Sequence, residues 1–453
     1  MKSLIVFCAV IVLAVFHFSG GNLMAQIGTR FPSERKIVKD PVTGIDLVFL
    51  TSQPFNDRKI YQTHNQWTAD GEWLVFSSNR VAGEAMAVNE QTGAIVQVTE
   101  GGYMGMLNIA RHSMKLYFMR AVKRDSLPTA DSLKRPLAIE VVEVNLEAVF
   151  ADSEQKHMKP ASHYQRVCGV IPPSWEGGGD MALDGDEQWV YFRVGKNKSK
   201  IHLNPATKIE DNFGPRNMGS GPAGIGAMNI HTGELKYVVS VGFQIGHIQT
   251  NPWVPGEIVF CWETGGKSPQ RTWTVKSDGT GLRPLYPESA YEWVTHEAVI
   301  SKDEVAMAIM GHRPVPGMQG QVETGTPVGG ANPGQEAAWG PSGTREKPTG
   351  LAIVNLRTRE MHLAGQTPSG SGLWHVSGSP DGCWAVGDDF SRSIYLIDRK
   401  SGQMRMLSTG HKTTAADHPH PTMSPDGTKI QIQSAMLSPN GRSMNICVIP
   451  VVQ

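Results

Sequence analysis

WTADGEWLVFSSNR, residues 67–80, decides the fold, because its grammar returns twice nearly intact. GSPDGCWAVGDD begins at Gly378 and MSPDGTKIQIQS at Met423; each has a Ser or Thr, one free residue, Asp-Gly and then a short β-rich run. Asp-Gly suits a tight turn between two strands, since Gly tolerates positive φ and Asp can bond its own backbone. Weaker copies are LDGDEQWVYFRV from Leu183, WVPGEIVFCWE from Trp253, ISKDEVAMAIMG from Ile300 and ARHSMKLYFMRA from Ala110.

A second pairing of β-rich segments follows these hairpins, as in AMAVNEQTGAIVQVT, GAMNIHTGELKYVV, LAIVNLRTREMHLA and SIYLIDRKSGQMRML. That gives about four strands per unit and seven units, the signature of an all-β, seven-bladed β-propeller. The last unit, MSPDGTKIQIQS followed by MNICVIPVV, is one strand short. GIDLVFLTS, from Gly44, is a spare N-terminal strand expected to fill it and close the ring, which would remove an exposed edge. One domain over residues 26–453 is expected. Residues 311–350 are Gly/Pro-rich without periodicity and read as a mobile loop over one face.

The first residues, MKSLIVFCAVIVLAVFHFSGGNLMAQ, have one Lys, an apolar run and small residues up to Ala25, the layout of a secretory signal peptide. Residues 1–25 are therefore set apart from the fold, and a periplasmic or secreted protein is expected. No later segment approaches the roughly 20 apolar residues of a membrane span, so no stable membrane insertion is expected. The 42 basic and 42 acidic residues form no basic block, which argues against nucleic acid as a partner. Cys168, Cys261, Cys383 and Cys447 are widely spaced without a CxxC pair and read as buried free thiols.

In a propeller the first strand of each blade lines the central channel, so residues just ahead of the repeat phrase meet at one mouth. Those slots hold His64, His247, His296, His375, His418 and His420, six of the 15 histidines. His418 and His420 are two apart, so on an extended strand both side chains point the same way, which suits two ligands to one ion. Imidazole binds several divalent metals, so ligand type alone does not name one. The alternative reading of DHPHP is a rigid turn whose histidines bond backbone carbonyls.

GHIQTNPWVPGEIVFCWE, QRTWTVKSDGTG, EWVTHEAVISKDE and DHPHPTMSPDGTKI resemble the oligogalacturonate lyases, seven-bladed propeller enzymes of pectin breakdown (polysaccharide lyase family 22). The resemblance spans about residues 240–310 and 410–435. It implies a carbon–oxygen lyase, exported on the reading of residues 1–25, that cleaves a uronate-containing, acidic oligosaccharide by metal-assisted β-elimination. His247 would be the base, and His296, His418 and His420 would bind a divalent cation, manganese in that family. Arg271, His64, His375 and Trp253 are candidate substrate contacts, and Trp374 a second candidate for stacking on sugar. The sequence departs from the family twice: Ala415 stands where the family has a Gln ligand, and GIGAMNIHTG lacks the family's catalytic Arg, for which Arg216, Arg193 or Arg271 could substitute. Two other readings stand beside this one. One is a lyase for another uronate polysaccharide such as ulvan, using His64 with Tyr61; the other is a non-catalytic TolB-like binding platform. A peptidase propeller is disfavoured because no G-x-S-x-G elbow is present.

Overall fold

The computed structural model describes residues 26–122, 137–213, 216–288, 292–310, 349–366 and 373–451. The expected signal segment and nearly all of the expected 311–350 loop lie outside these residues. Seven antiparallel sheets of four or five strands make seven propeller blades. Each repeat phrase forms the turn between the first two strands of a blade. In the three strongest copies the Ser or Thr hydroxyl (Thr68, Ser379, Ser424) donates to the Asp carboxylate (Asp70, Asp381, Asp426). The same hydroxyl oxygen accepts the N–H of the residue entering the next strand: Trp73, Trp384 or Lys429. Gly71 between them has φ 74° and open space around it, so conformation alone demands Gly there.

Blades 1 to 6 follow in chain order, from the innermost strands Arg58–Lys59, Met104–Ile109, Met181–Leu183, Ile245–Thr250, Trp293–Ser301 and Leu373–Gly378. Blade 7 draws on both ends of the chain. Its strands Thr422–Met423, Lys429–Ser434 and Asn445–Pro450 are joined by Asp46–Phe49, with Val48 opposite Val448 and Phe49 opposite Cys447, and then by Lys36–Lys39. Arg30–Phe31 adds an outer strand to blade 1.

The core is circumferential. Separate apolar clusters lie between successive blades, one of them joining Leu74, Phe76 and Val88 of blade 1 to Ile446 and Val448 of blade 7. This packing holds the inner strands rigidly while leaving their channel ends free to carry polar groups. A ten-residue helix, Leu146–Gln155, interrupts blade 2; Asn145 caps it by accepting the Ala148 N–H, and Phe150 stacks on Trp73 at 4.0 Å. Among the described residues no helix is long and apolar enough to cross a membrane. All four described cysteines are free; Cys168, Cys261 and Cys447 are buried as expected, whereas Cys383 is exposed because it sits in the turn after Asp381-Gly382.

Candidate active site

A cavity of about 360 Å³ opens where blades 4 to 7 meet blade 1. Tyr61, His247, Arg271, His296, His375 and His418 are among the residues that line it, together with His420, Trp374 and Asp417. Five of the six slot histidines therefore converge. Local backbone geometry aims several of them. The innermost strand of blade 4 bulges between Gly246 and Gln249, that of blade 5 between Thr295 and Glu297, and that of blade 6 between Leu373 and Val376. His247 (φ 50°), His296 (φ 51°) and His420 (φ 51°) adopt the left-handed conformation, which costs an L-residue on the order of 1–3 kcal/mol. Bulges of this kind re-aim a side chain beside an active site.

Two buried carboxylates organise the walls. Glu297, fully buried, accepts from Arg271 Nε at 3.0 Å and faces His247 Nδ1 at 3.0 Å through its other oxygen. Arg271 Nη2 lies 3.2 Å from the same His247 nitrogen. With Nδ1–H donated to Glu297, His247 Nε2 carries the lone pair and faces Glu263, 3.5 Å away. Burial pulls the His247 imidazole down, but the hydrogen bond and charge of Glu297 outweigh it and hold it above its ordinary value. Burial also works against the Glu297 carboxylate, and Arg271 and His247 overcome this and bring it down to about 2.

On the opposite wall Asp388, also fully buried, accepts the His375 backbone N–H at 2.7 Å and faces the Nδ1 atoms of both His375 and His418 at 3.2 Å. Burial opposes its charge, and the two imidazoles outweigh burial and keep it below the usual carboxylate range. Burial, reinforced by His420, takes His375 down to about 3, so it is neutral at physiological pH. His375 is the hub of the cluster, its ring centroid 3.7 Å from His420, 4.1 Å from His296 and 5.1 Å from His418.

The expected ligand trio of His296, His418 and His420 does not gather its ring nitrogens at one point. Segment 417–421 is not an extended strand, and the left-handed turn at His420 breaks the alternation that would have aligned it with His418. Both His420 nitrogens are engaged, Nδ1 with Gln62 Oε1 at 3.0 Å and Nε2 with Asp417 Oδ1 at 3.1 Å. His296 Nδ1 meets the Tyr61 hydroxyl at 2.9 Å. Among the described residues, two groups do hold candidate ligand atoms within 4.8 Å of one another: His375 with Asp388 and His418, and His247 with Cys261 and Glu263. Imidazole and carboxylate donors fit a divalent cation in the first group. The second fits poorly, because burial pushes the Cys261 thiol well above its ordinary value and so disfavours the thiolate that binds metal.

His64 and Trp253 stand apart from the cavity. His64 lines a separate space of about 40 Å³, with Nε2 bonded to the Met181 carbonyl at 2.8 Å and Nδ1 to the Thr63 hydroxyl at 2.7 Å; burial takes its imidazole down to about 4. Tyr61 bonds His296 rather than His64, so the His64–Tyr61 pair is not assembled. The Trp253 ring lies under the Arg111 guanidinium at 5.2 Å. Of the three arginines offered as substitutes, Arg271 is buried in the cavity wall and Arg216 is exposed at its edge, while Arg193 does not line it. Ala415 packs with Ala435 and Met444 and is not among the residues lining the cavity. Glu297, Asp388, Glu263 and Asp417 went unread. Glu297 directly follows His296, and strand alternation alone would have turned it to the other face.

Fold and site together define a seven-bladed propeller with a histidine- and carboxylate-walled cavity on its axis. An oligogalacturonate lyase in complex with manganese aligns with 95% of this chain and 99% of its own at 16% identity and a TM-score of 0.68. The oligogalacturonate lyase of Vibrio parahaemolyticus aligns over the same shares at 17% identity and a TM-score of 0.67. The fold is that of the oligogalacturonate lyases. No protein-family model and no curated protein matches the sequence.

Proposed function

We propose that this protein is a carbon–oxygen lyase that cleaves a uronate-containing oligosaccharide by β-elimination, with His247 as the base. The observation that carries this reading is the Glu297 clamp, which holds a base and a permanent cation 3.2 Å apart on one cavity wall. In a 4-linked uronide the proton on C5 lies next to a carboxylate, and its removal builds negative charge on that group. His247 Nε2 takes the proton, the C–H electron pair becomes the C4=C5 double bond, and the C4–O bond breaks. Arg271 stabilises the charge developing on the carboxylate. Tyr61, whose ring is 4.9 Å from that of His247, keeps its proton because burial and then Glu297 raise it, and it can return one to the departing oxygen.

The divalent cation implied by the resemblance would sit against the His375–Asp388–His418 wall and supply further positive charge to the substrate carboxylate. An adjoining cavity of about 200 Å³ shares Tyr61, Asp417 and His420 and carries Arg58, which suits a second acidic sugar. The N-terminal signal-like segment supports export, so that the enzyme meets its glycan in the periplasm or outside the cell.

Incubation of purified protein with oligogalacturonates and other uronate oligosaccharides, ulvan fragments included, tests the reading. Ultraviolet absorbance of an unsaturated product is expected for one class and should vanish in His247→Ala. No product from any uronide would remove the lyase assignment and favour a binding platform.

A further inference from the structure

We propose that the core of the cation site is the His375–His418 pair organised by Asp388, and not the His418–His420 pair of the DHPHP segment. The inference rests on the cation of the lyase reading. Asp388 is fully buried and meets both imidazoles at Nδ1, 3.2 Å from each. A carboxylate in that position fixes the tautomer, with the proton on Nδ1 and the lone pair on Nε2. Among the described residues neither His375 Nε2 nor His418 Nε2 makes a hydrogen bond, and both side chains line the cavity. Both rings are therefore held by one buried anchor, 5.1 Å apart between centroids, on the lining of the same cavity.

His420 is built differently. Its two nitrogens are taken by Gln62 and Asp417, and its ring lies 3.7 Å from that of His375 at an interplanar angle of only 26°. Two nearly parallel stacked rings cannot both contain one ion in their planes, so His375 and His420 exclude each other as ligands in this geometry. His420 acts as a brace for the His375 ring. The assignment also answers the departure at residue 415. Ala415 packs with Ala435 and Met444 and offers no side-chain donor, and the missing ligand is made good from blade 6 rather than from the same loop.

Titration of the metal-free full chain with Mn²⁺ by calorimetry, with pulsed electron paramagnetic resonance counting coupled imidazole nitrogens, decides the matter. His375→Gln and Asp388→Asn are each expected to weaken Mn²⁺ binding by about 10- to 100-fold, and His375→Gln to lose one coupled nitrogen. His420→Ala is expected to stay within about threefold of wild type with the nitrogen count unchanged. Circular dichroism confirms folding, and His418→Gln provides a second ligand variant if Asp388→Asn fails to fold. Loss of binding in His420→Ala with retention in His375→Gln would overturn the assignment, as would equal losses in both or a wild type that binds no Mn²⁺. Product formation from uronides is assayed on the same preparations: wild-type turnover with the wrong variant pattern removes the ligand assignment alone, and absence of turnover removes the lyase reading.

Discussion

The two walls of the cavity use one device to opposite ends. Each has a fully buried carboxylate that grips two functional side chains, Glu297 on blade 5 and Asp388 on blade 6. Glu297 holds a histidine and an arginine, and its hydrogen bond and charge raise the histidine despite burial and the opposing charge of Arg271. Asp388 holds two histidines and, among the described residues, no Arg or Lys in hydrogen-bonding contact, and burial and His420 drive His375 to about 3. The same kind of anchor thus stands beside a raised histidine on one wall and a lowered one on the other. What differs is the balance around the anchor: the pull of Glu297 on His247 exceeds burial and the opposing charge of Arg271, whereas burial and His420 exceed the pull of Asp388 on His375.

The largest expected effect lies on the Glu297 wall. His247→Ala should lower kcat/KM by about 10²- to 10⁴-fold, the usual worth of a positioned general base, measured as the rate of unsaturated-product formation. Glu297→Gln should cost about 10²-fold or more by loosening both His247 and Arg271. Because Glu297 raises His247, the rate of the wild type should climb with pH through a value above 6.5, the ordinary histidine value. In Glu297→Gln that acidic limb should move to lower pH; an unmoved limb would separate Glu297 from the base.

Acid stability sharpens the contrast next. His375 has its folded value lowered from 6.5 to about 3, so the unfolded chain binds a proton first as pH falls. Its contribution is present above pH 6.5 and is lost progressively as pH falls toward 3, on the order of 5 kcal/mol in total. His247 is raised and has the opposite sign: its contribution is complete below pH 6.5 and is lost as pH rises through its folded value. Denaturant unfolding at pH 5 and pH 8 should therefore show His375→Gln relatively more stable at the acidic pH and His247→Gln relatively less. The smallest effect should come from residues off both walls. Trp253→Ala should leave KM within about twofold, because the ring packs under Arg111 away from the cavity.

The fold was legible because its signal is local. Thr68-Ala-Asp-Gly, Ser379-Pro-Asp-Gly and Ser424-Pro-Asp-Gly each close their own turn with hydrogen bonds spanning no more than five residues. Helix Leu146–Gln155 was missed, since its packing on Trp73 comes from a neighbouring blade and leaves no strong periodicity in the sequence. At the site, the shared slot brought His247, His296, His375, His418 and His420 to one cavity, yet it could not separate His64, whose nitrogens are satisfied by Met181 and Thr63. Glu297 and Asp388 were not legible. One meets His247 and Arg271 of blade 4 beside a bulge in its own strand, and the other meets His418, 30 residues away.

The left-handed backbone at His247, His296 and His420 bears on how the protein should fail on heating. Those three residues carry conformational strain at the channel ends of otherwise tightly packed strands, so relaxation there removes tension without opening the core between blades. Thermal inactivation should accordingly run ahead of the loss of β-sheet signal, with a temperature interval in which the wheel is whole and its hub no longer works.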